Sequence, residues 1–265
     1  MPYTLVHPGF AAWIKSKWLP GLSWNGLIFG SLVPDFDILF RLSNARFHLI
    51  NGGILSVLFI LLPVAILISW LFHTIVRNKI IDFLPNRFFP LLQPYTSFNY
   101  VAFLKKNFVL EIFTIILAIE LHYLLDFVSH WNAWYCMMAF HVLIYPSVLL
   151  KPFVYYFAWY LPMVVATALG CYLVYTQFIK KVFEESNFKL VTIEWPLKTR
   201  LFIVLFVANT VSFSILKFIF LGHEGNGLAW HYIIIYATSG AFFALFTTPV
   251  LMSGITQLYS KIIKK

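Results

Sequence analysis

Hydrophobic positions in this chain come in long unbroken runs, not in the alternation of a half-buried strand or the three-and-four spacing of a surface helix. The cleanest run reads GILSVLFILLPVAILISWLFHTIV, from Gly53 to Val76, and others occupy residues 108–130, 154–179, 201–221 and 230–255. Crossing a hydrocarbon core takes about 20 apolar residues in a helix, and each of these runs is of that order. A membrane β-barrel needs short alternating segments, so continuous runs set it aside. The pattern therefore predicts an all-α, polytopic helical membrane protein with about five to seven membrane-embedded helices. Residues 1–265 read as a single integral membrane domain. Within it, 53–265 form the transmembrane bundle, and 1–52 form an interfacial or partly embedded leading segment punctuated by Pro8, Pro20 and Gly21. The stretch 24–40 is apolar but interrupted by Pro34, Asp35 and Asp37, and the shorter piece 133–150 reads as re-entrant or interfacial. The stretches 77–107 and 180–200 read as loops.

Composition agrees with the pattern. Hydrophobic residues make up 61% and charged residues 11%, against about 25% charged in soluble domains. The net charge of +9 comes from Lys and Arg residues placed beside apolar runs, which fits the positive-inside pattern and contact with anionic lipid. No nucleic-acid motif accompanies them, and none is expected as a partner. Thirteen of the 19 basic residues lie in 77–107, 180–200 and 261–265, which marks that side as cytoplasmic if 133–150 does not cross. Lys15, Lys17, Arg41 and Arg46 weaken this orientation if the leading segment lies outside. Cys136 and Cys171 stand alone, without zinc-site spacing.

The chemistry sits in ELHYLLDFVSH, Glu120 to His130. Positions four apart on a helix drift by only about 40°, so His122, Asp126 and His130 form one stripe along two turns. Two imidazoles and a carboxylate are ligands that zinc or a similar divalent ion takes, with a further ligand supplied from elsewhere. The plainer alternative is a His–Asp hydrogen bond that satisfies polar groups facing a bundle interior. Ionisable residues in membrane segments are costly and usually functional, which favours the metal. Glu111 points roughly the same way but lies about 16 Å from His122 along the axis, as a separate feature. In GSLVPDFDILF, Pro34 disfavours helix at Val33, so Asp35 and Asp37 are presented from a turn, where a carboxylate can bind an ion or cap a helix. His7, a lone histidine before Pro8, carries little weight by itself. His73, four before Arg77 at the end of its span, reads as a helix C-terminal cap in preference to a ligand.

The order VHPGF, GSLVPDFD, LLPVAILISWLFH, ELHYLLDFVSH and FHVLIYP resembles the bacterial membrane family known as domain of unknown function 4184, over at least residues 1–180. The resemblance rests on His7, Gly30, Ser31, Pro34, Asp35, His122, Asp126, Ser129 and His130. It implies a bacterial cytoplasmic membrane protein and no established activity. The layout is more distantly similar to membrane-bound metal-dependent hydrolases and to helical zinc phospholipases. That similarity implies a site in which Asp35, His122 and Asp126 are catalytic and His7, Asp35, His48, His122, Asp126 and His130 hold a divalent metal such as zinc. Where the family has a Ser-His-Thr triplet this chain reads NGGILS from Asn51, and His48 stands about one helical turn earlier as the substitute. Two functions follow as expectations. One is metal-dependent hydrolysis of an ester or phosphoester on a lipid or lipid-linked substrate. The other is a transport or accessory protein whose His and Asp residues relay protons or lock helices.

Overall fold

The computed structural model describes residues 7–36, 53–85, 92, 95–129, 164–165, 167–180, 196–221 and 229–263. Among these the elements are helical, and no strand occurs. They are α1 (His7–Lys17), α2 (Trp24–Leu32) with the 3-10 turn Val33–Asp35, α3 (Ile54–Phe83), α4 (Tyr100–Lys106), α5 (Phe108–Ser129), α6 (167–180), α7 (Leu197–Leu221) and α8 (Ala229–Ile263). Four stretches are long and apolar enough to cross a bilayer: Ile54–Phe83, Phe108–Asp126, Leu197–Ile219 and Tyr236–Gln257. The chain is thus an all-helical integral membrane protein. Asp37, His48, His130 and the piece 133–150 lie outside the described residues.

The first span does not end at Val76, as its hydrophobicity suggested. It runs on to Phe83. The reason is Arg77, whose guanidinium is carried inside the fold and satisfied there, donating to the carbonyls of Phe98 and Thr96 at 2.8 and 3.0 Å. Two π-helical segments, Val57–Leu61 and Phe72–Val76, interrupt the α pattern of α3. The first sits just ahead of Pro63, which has no N–H and whose ring crowds the preceding turn, so a wider turn relieves both defects.

The fold divides into two compact units, one of residues 1–34, 50–66 and 107–187, the other of 35–49, 67–106 and 188–265. In the first, α5 is the axis. Gly26 of α2 lies against Thr114, and Gly30 lies against Ile115 and Ala118. This fixes α2 parallel to α5. A β-carbon at Gly30 would stand 2.7 Å from the Ile115 carbonyl oxygen, so the close approach requires glycine there, as small residues permit between membrane helices. The α1 helix runs back along both, with Ala11 in one apolar cluster with Leu22, Leu27 and Ala118. At the turn between α1 and α2, Lys15 donates to the Pro20 and Leu22 carbonyls and lies over the Trp24 ring. Partial burial lowers the pKa of this amine from its ordinary value. Ser23 then caps α2 by accepting from the Gly26 N–H. Residues 7–32 of the leading segment therefore form a helical hairpin laid along a membrane-length helix.

In the second unit α7 and α8 form an antiparallel pair joined by polar contacts. Asn209 donates to Thr248, Ser214 to the Tyr236 carbonyl, and buried Lys217 to Ser239 at 3.0 Å. Phe213 stacks on Phe243 beside them. The end of α3 joins α7 through Thr199, which donates to the Phe83 carbonyl.

Candidate metal centre

The sequence around His7 accounts for its position step by step. Pro8 fits the first turn of α1, where its fixed φ suits a helix and no N–H is needed. Gly9 then allows α1 to approach α6, since a β-carbon there would lie 2.7 Å from the Gly170 carbonyl oxygen. His7, at the start of α1, is thereby buried at 2% exposure and stacked on His122, ring centroids 4.0 Å apart and planes 17° from parallel.

His122 is equally buried, on the face of α5 turned toward α2. Its Nδ1 lies 2.7 Å from the Ser31 carbonyl oxygen. A carbonyl only accepts, so Nδ1 carries the hydrogen and donates it. That carbonyl is available because Pro34, three residues on, has no N–H with which to close a 3-10 bond to Ser31. The other ring nitrogen, Nε2, faces Asp126, whose Oδ2 is 3.3 Å away one turn along α5. The other oxygen, Oδ1, is 3.5 Å from Nε2 of His7.

A lone pair facing a carboxylate oxygen needs a positive charge between them. Either a proton converts His122 to imidazolium or a metal ion is bound. The ligand atoms of His7, His122 and Asp126 all lie within 4.8 Å of one another. Ligands at 2.0–2.1 Å from a tetrahedral ion stand about 3.3–3.4 Å apart; His7 is 3.5 Å from one oxygen of Asp126 and His122 3.3 Å from the other, within a group wider than that spacing. The second nitrogen of His122 is held by a backbone carbonyl, the outer support that metal-bound histidines usually have. Three protein ligands leave a position for water or substrate, the pattern of catalytic sites. Asp126 keeps 15% exposure of its side chain where both histidines have 1%, so it is the most exposed of the three.

With this geometry the comparisons can be read. The family model described as "Domain of unknown function (DUF4184)" matches residues 1–251. The chain belongs to that family. No curated protein and no solved structure matches it. The residues that build the group, His7, Ser31, His122 and Asp126, all lie within the DUF4184 match.

Of the six residues expected to hold metal, the fold brings His7, His122 and Asp126 together. Asp35 is buried at the end of the 3-10 turn and belongs to the other compact unit. His48 and His130 lie outside the described residues. Two contributors were not foreseen. The carbonyl of Ser31 orients His122, and no sequence signal marks it except Pro34 three positions later. Asn25 donates to Glu111, giving that isolated acid a partner; a polar residue beside Gly26 in an otherwise apolar helix was the available sign. His73 is no span-end group: it accepts from Arg77 inside a continuing helix and stacks on Tyr100.

Proposed function

We propose that this DUF4184 protein is a metal-dependent hydrolase of the bacterial cytoplasmic membrane, with about five to seven membrane-embedded helices, acting on an ester or phosphoester of a lipid or lipid-linked substrate. His7, His122 and Asp126 are the ligands, and zinc suits two imidazoles and a carboxylate. A bound divalent ion supplies Lewis acidity toward a carbonyl or phosphoryl oxygen. The observation that carries the reading is convergence: the ligand atoms of His7, His122 and Asp126 lie within 4.8 Å of one another, with Nδ1 of His122 turned to the Ser31 carbonyl and Nε2 to Asp126 at 3.3 Å. Placement on membrane-length α5 favours a lipidic substrate over a soluble one.

A second reading makes the same residues a proton relay or helix lock, and the same observation supports it, since a proton on His122 satisfies Asp126 as a metal would. Elemental analysis of detergent-purified protein separates the two. The parent is expected to carry one zinc or manganese per chain, and His122→Ala and Asp126→Ala to carry less than a tenth of that. A metal-free parent, purified without chelators, would leave the relay standing and end the hydrolase reading. Release of a labelled headgroup from lipid vesicles by the parent, and not by Asp126→Ala, tests the reaction class.

A further inference from the structure

The α2–α5 seam is closely packed, with Gly26 and Gly30 against Thr114, Ile115 and Ala118. Close approach alone leaves room for small shifts along the axis. The candidate centre does not tolerate such freedom. A hydrogen bond has a window of about 2.7–3.2 Å, and a shift of one residue along a helix is about 1.5 Å. The Ser31 carbonyl, 2.7 Å from Nδ1 of His122, would lose its partner on any such slip, and Nε2 would swing away from Asp126.

What resists the slip lies at the other end of the same two helices. Glu111 is fully buried and accepts from the side-chain amide of Asn25. Beside it, the Ser23 N–H donates to Thr114 Oγ1 at 3.3 Å, and that hydroxyl donates to the Leu110 carbonyl. Glu111 also faces the first turn of α2, and an acid is favourable at the N-terminal end of a helix dipole. The opposite end of α2 faces His122 through the Ser31 carbonyl. A buried ionisable group in a membrane span is expensive, and the best-attested use of a single buried polar contact in a helix seam is to set register.

We propose that the Asn25–Glu111 pair is a positioning device for the candidate metal centre: it sets the register of α2 on α5 and so aims Nε2 of His122 at Asp126, about 16 Å away along α5. Neither residue touches the metal. The inference rests on the hydrolase reading only where metal affinity is its readout.

The test uses the full chain in detergent. Nitrogen-15 NMR of histidine-labelled, metal-free protein reports which ring nitrogen carries hydrogen, with His122 assigned by its loss in His122→Gln. Cobalt(II) titration, followed by visible absorption, reports the centre. The parent is expected to show hydrogen held on Nδ1 of His122, whether or not Nε2 also carries one. Glu111→Ala and Asn25→Ala are expected to lose it and to bind cobalt about ten- to a hundredfold more weakly. Glu111→Gln, which still accepts from Asn25, is expected to keep both. Alanine variants with the parent's tautomer and affinity would overturn the proposal. So would Glu111→Gln behaving like Glu111→Ala, because charge and not register would then be what matters. If the parent binds no cobalt but its tautomer still depends on Glu111 and Asn25, the positioning role stands and the metal reading fails.

Discussion

Arg77 shows how one residue changes the meaning of a hydrophobic run. In sequence it ends a span. In the structure its guanidinium donates to Asn78, His73, Phe98 and Thr96, so a buried cation becomes part of a continuing helix. Because an arginine nitrogen only donates, Nδ1 of His73 accepts and its hydrogen sits on Nε2. Arg77→Ala leaves the carbonyls of Thr96 and Phe98 without their donor and is expected to destabilise the protein by about 2 kcal/mol, measured by thermal unfolding in detergent. Arg77→Lys should recover only part of this, since a point charge cannot reproduce the planar fork. Ser31 teaches the same lesson at the candidate centre. Its side chain donates locally to Ile28, and the group that matters is its main-chain oxygen.

Among the elements, the α2–α5 contact is the one on which the site depends. The two glycines of α2 are not equivalent. A β-carbon at Gly30 meets the Ile115 carbonyl oxygen at 2.7 Å, whereas one at Gly26 meets Cβ of Thr114 at 2.9 Å; both atoms are fixed to α5, and the approach at Gly30 is the closer. Gly30→Ala is expected to cost about 1–3 kcal/mol in unfolding experiments, and Gly26→Ala less. Gly53→Ala, with open space around it, serves as the control and should change little. Equal costs at Gly26 and Gly30 would show that the helices are farther apart than described. The hairpin α1–α2 was legible only in part. Its prolines and glycines marked short elements, but His7 gave no sign of burial, because its stacking partner lies 115 positions away.

For the molecule as a whole, the hairpin bears on sidedness. Since α2 runs parallel to α5, the turn between α1 and α2 lies at the end of α5 where the chain arrives from Lys105 and Lys106. Lys15 and Lys17 therefore lie at the end of α5 that follows Lys105 and Lys106 in sequence, and on the positive-inside pattern that end is expected to be cytoplasmic. With Cys136 and Cys171 replaced by Ser, a single cysteine at Lys17 is expected to react with a membrane-impermeant maleimide in inverted vesicles and to stay unlabelled in intact cells. Labelling in intact cells would reverse the orientation drawn from the positive-inside pattern.

The sequence by itself determined the solvent, the helical class, the family resemblance and the polar stripe of α5. These follow from local properties: run length, composition, and the helical period that places Asp126 one turn from His122. Only the tertiary structure decided which distant residues complete the stripe. It brought His7 and the Ser31 carbonyl to His122, gave Asn25 to Glu111, and placed Asp35 in the other unit. The physical reason is that a helix stripe fixes direction but not partners. Partners are chosen by which backbones can approach, and here that choice rests on Gly9, Gly26 and Gly30, whose missing side chains are visible in sequence but whose neighbours are not.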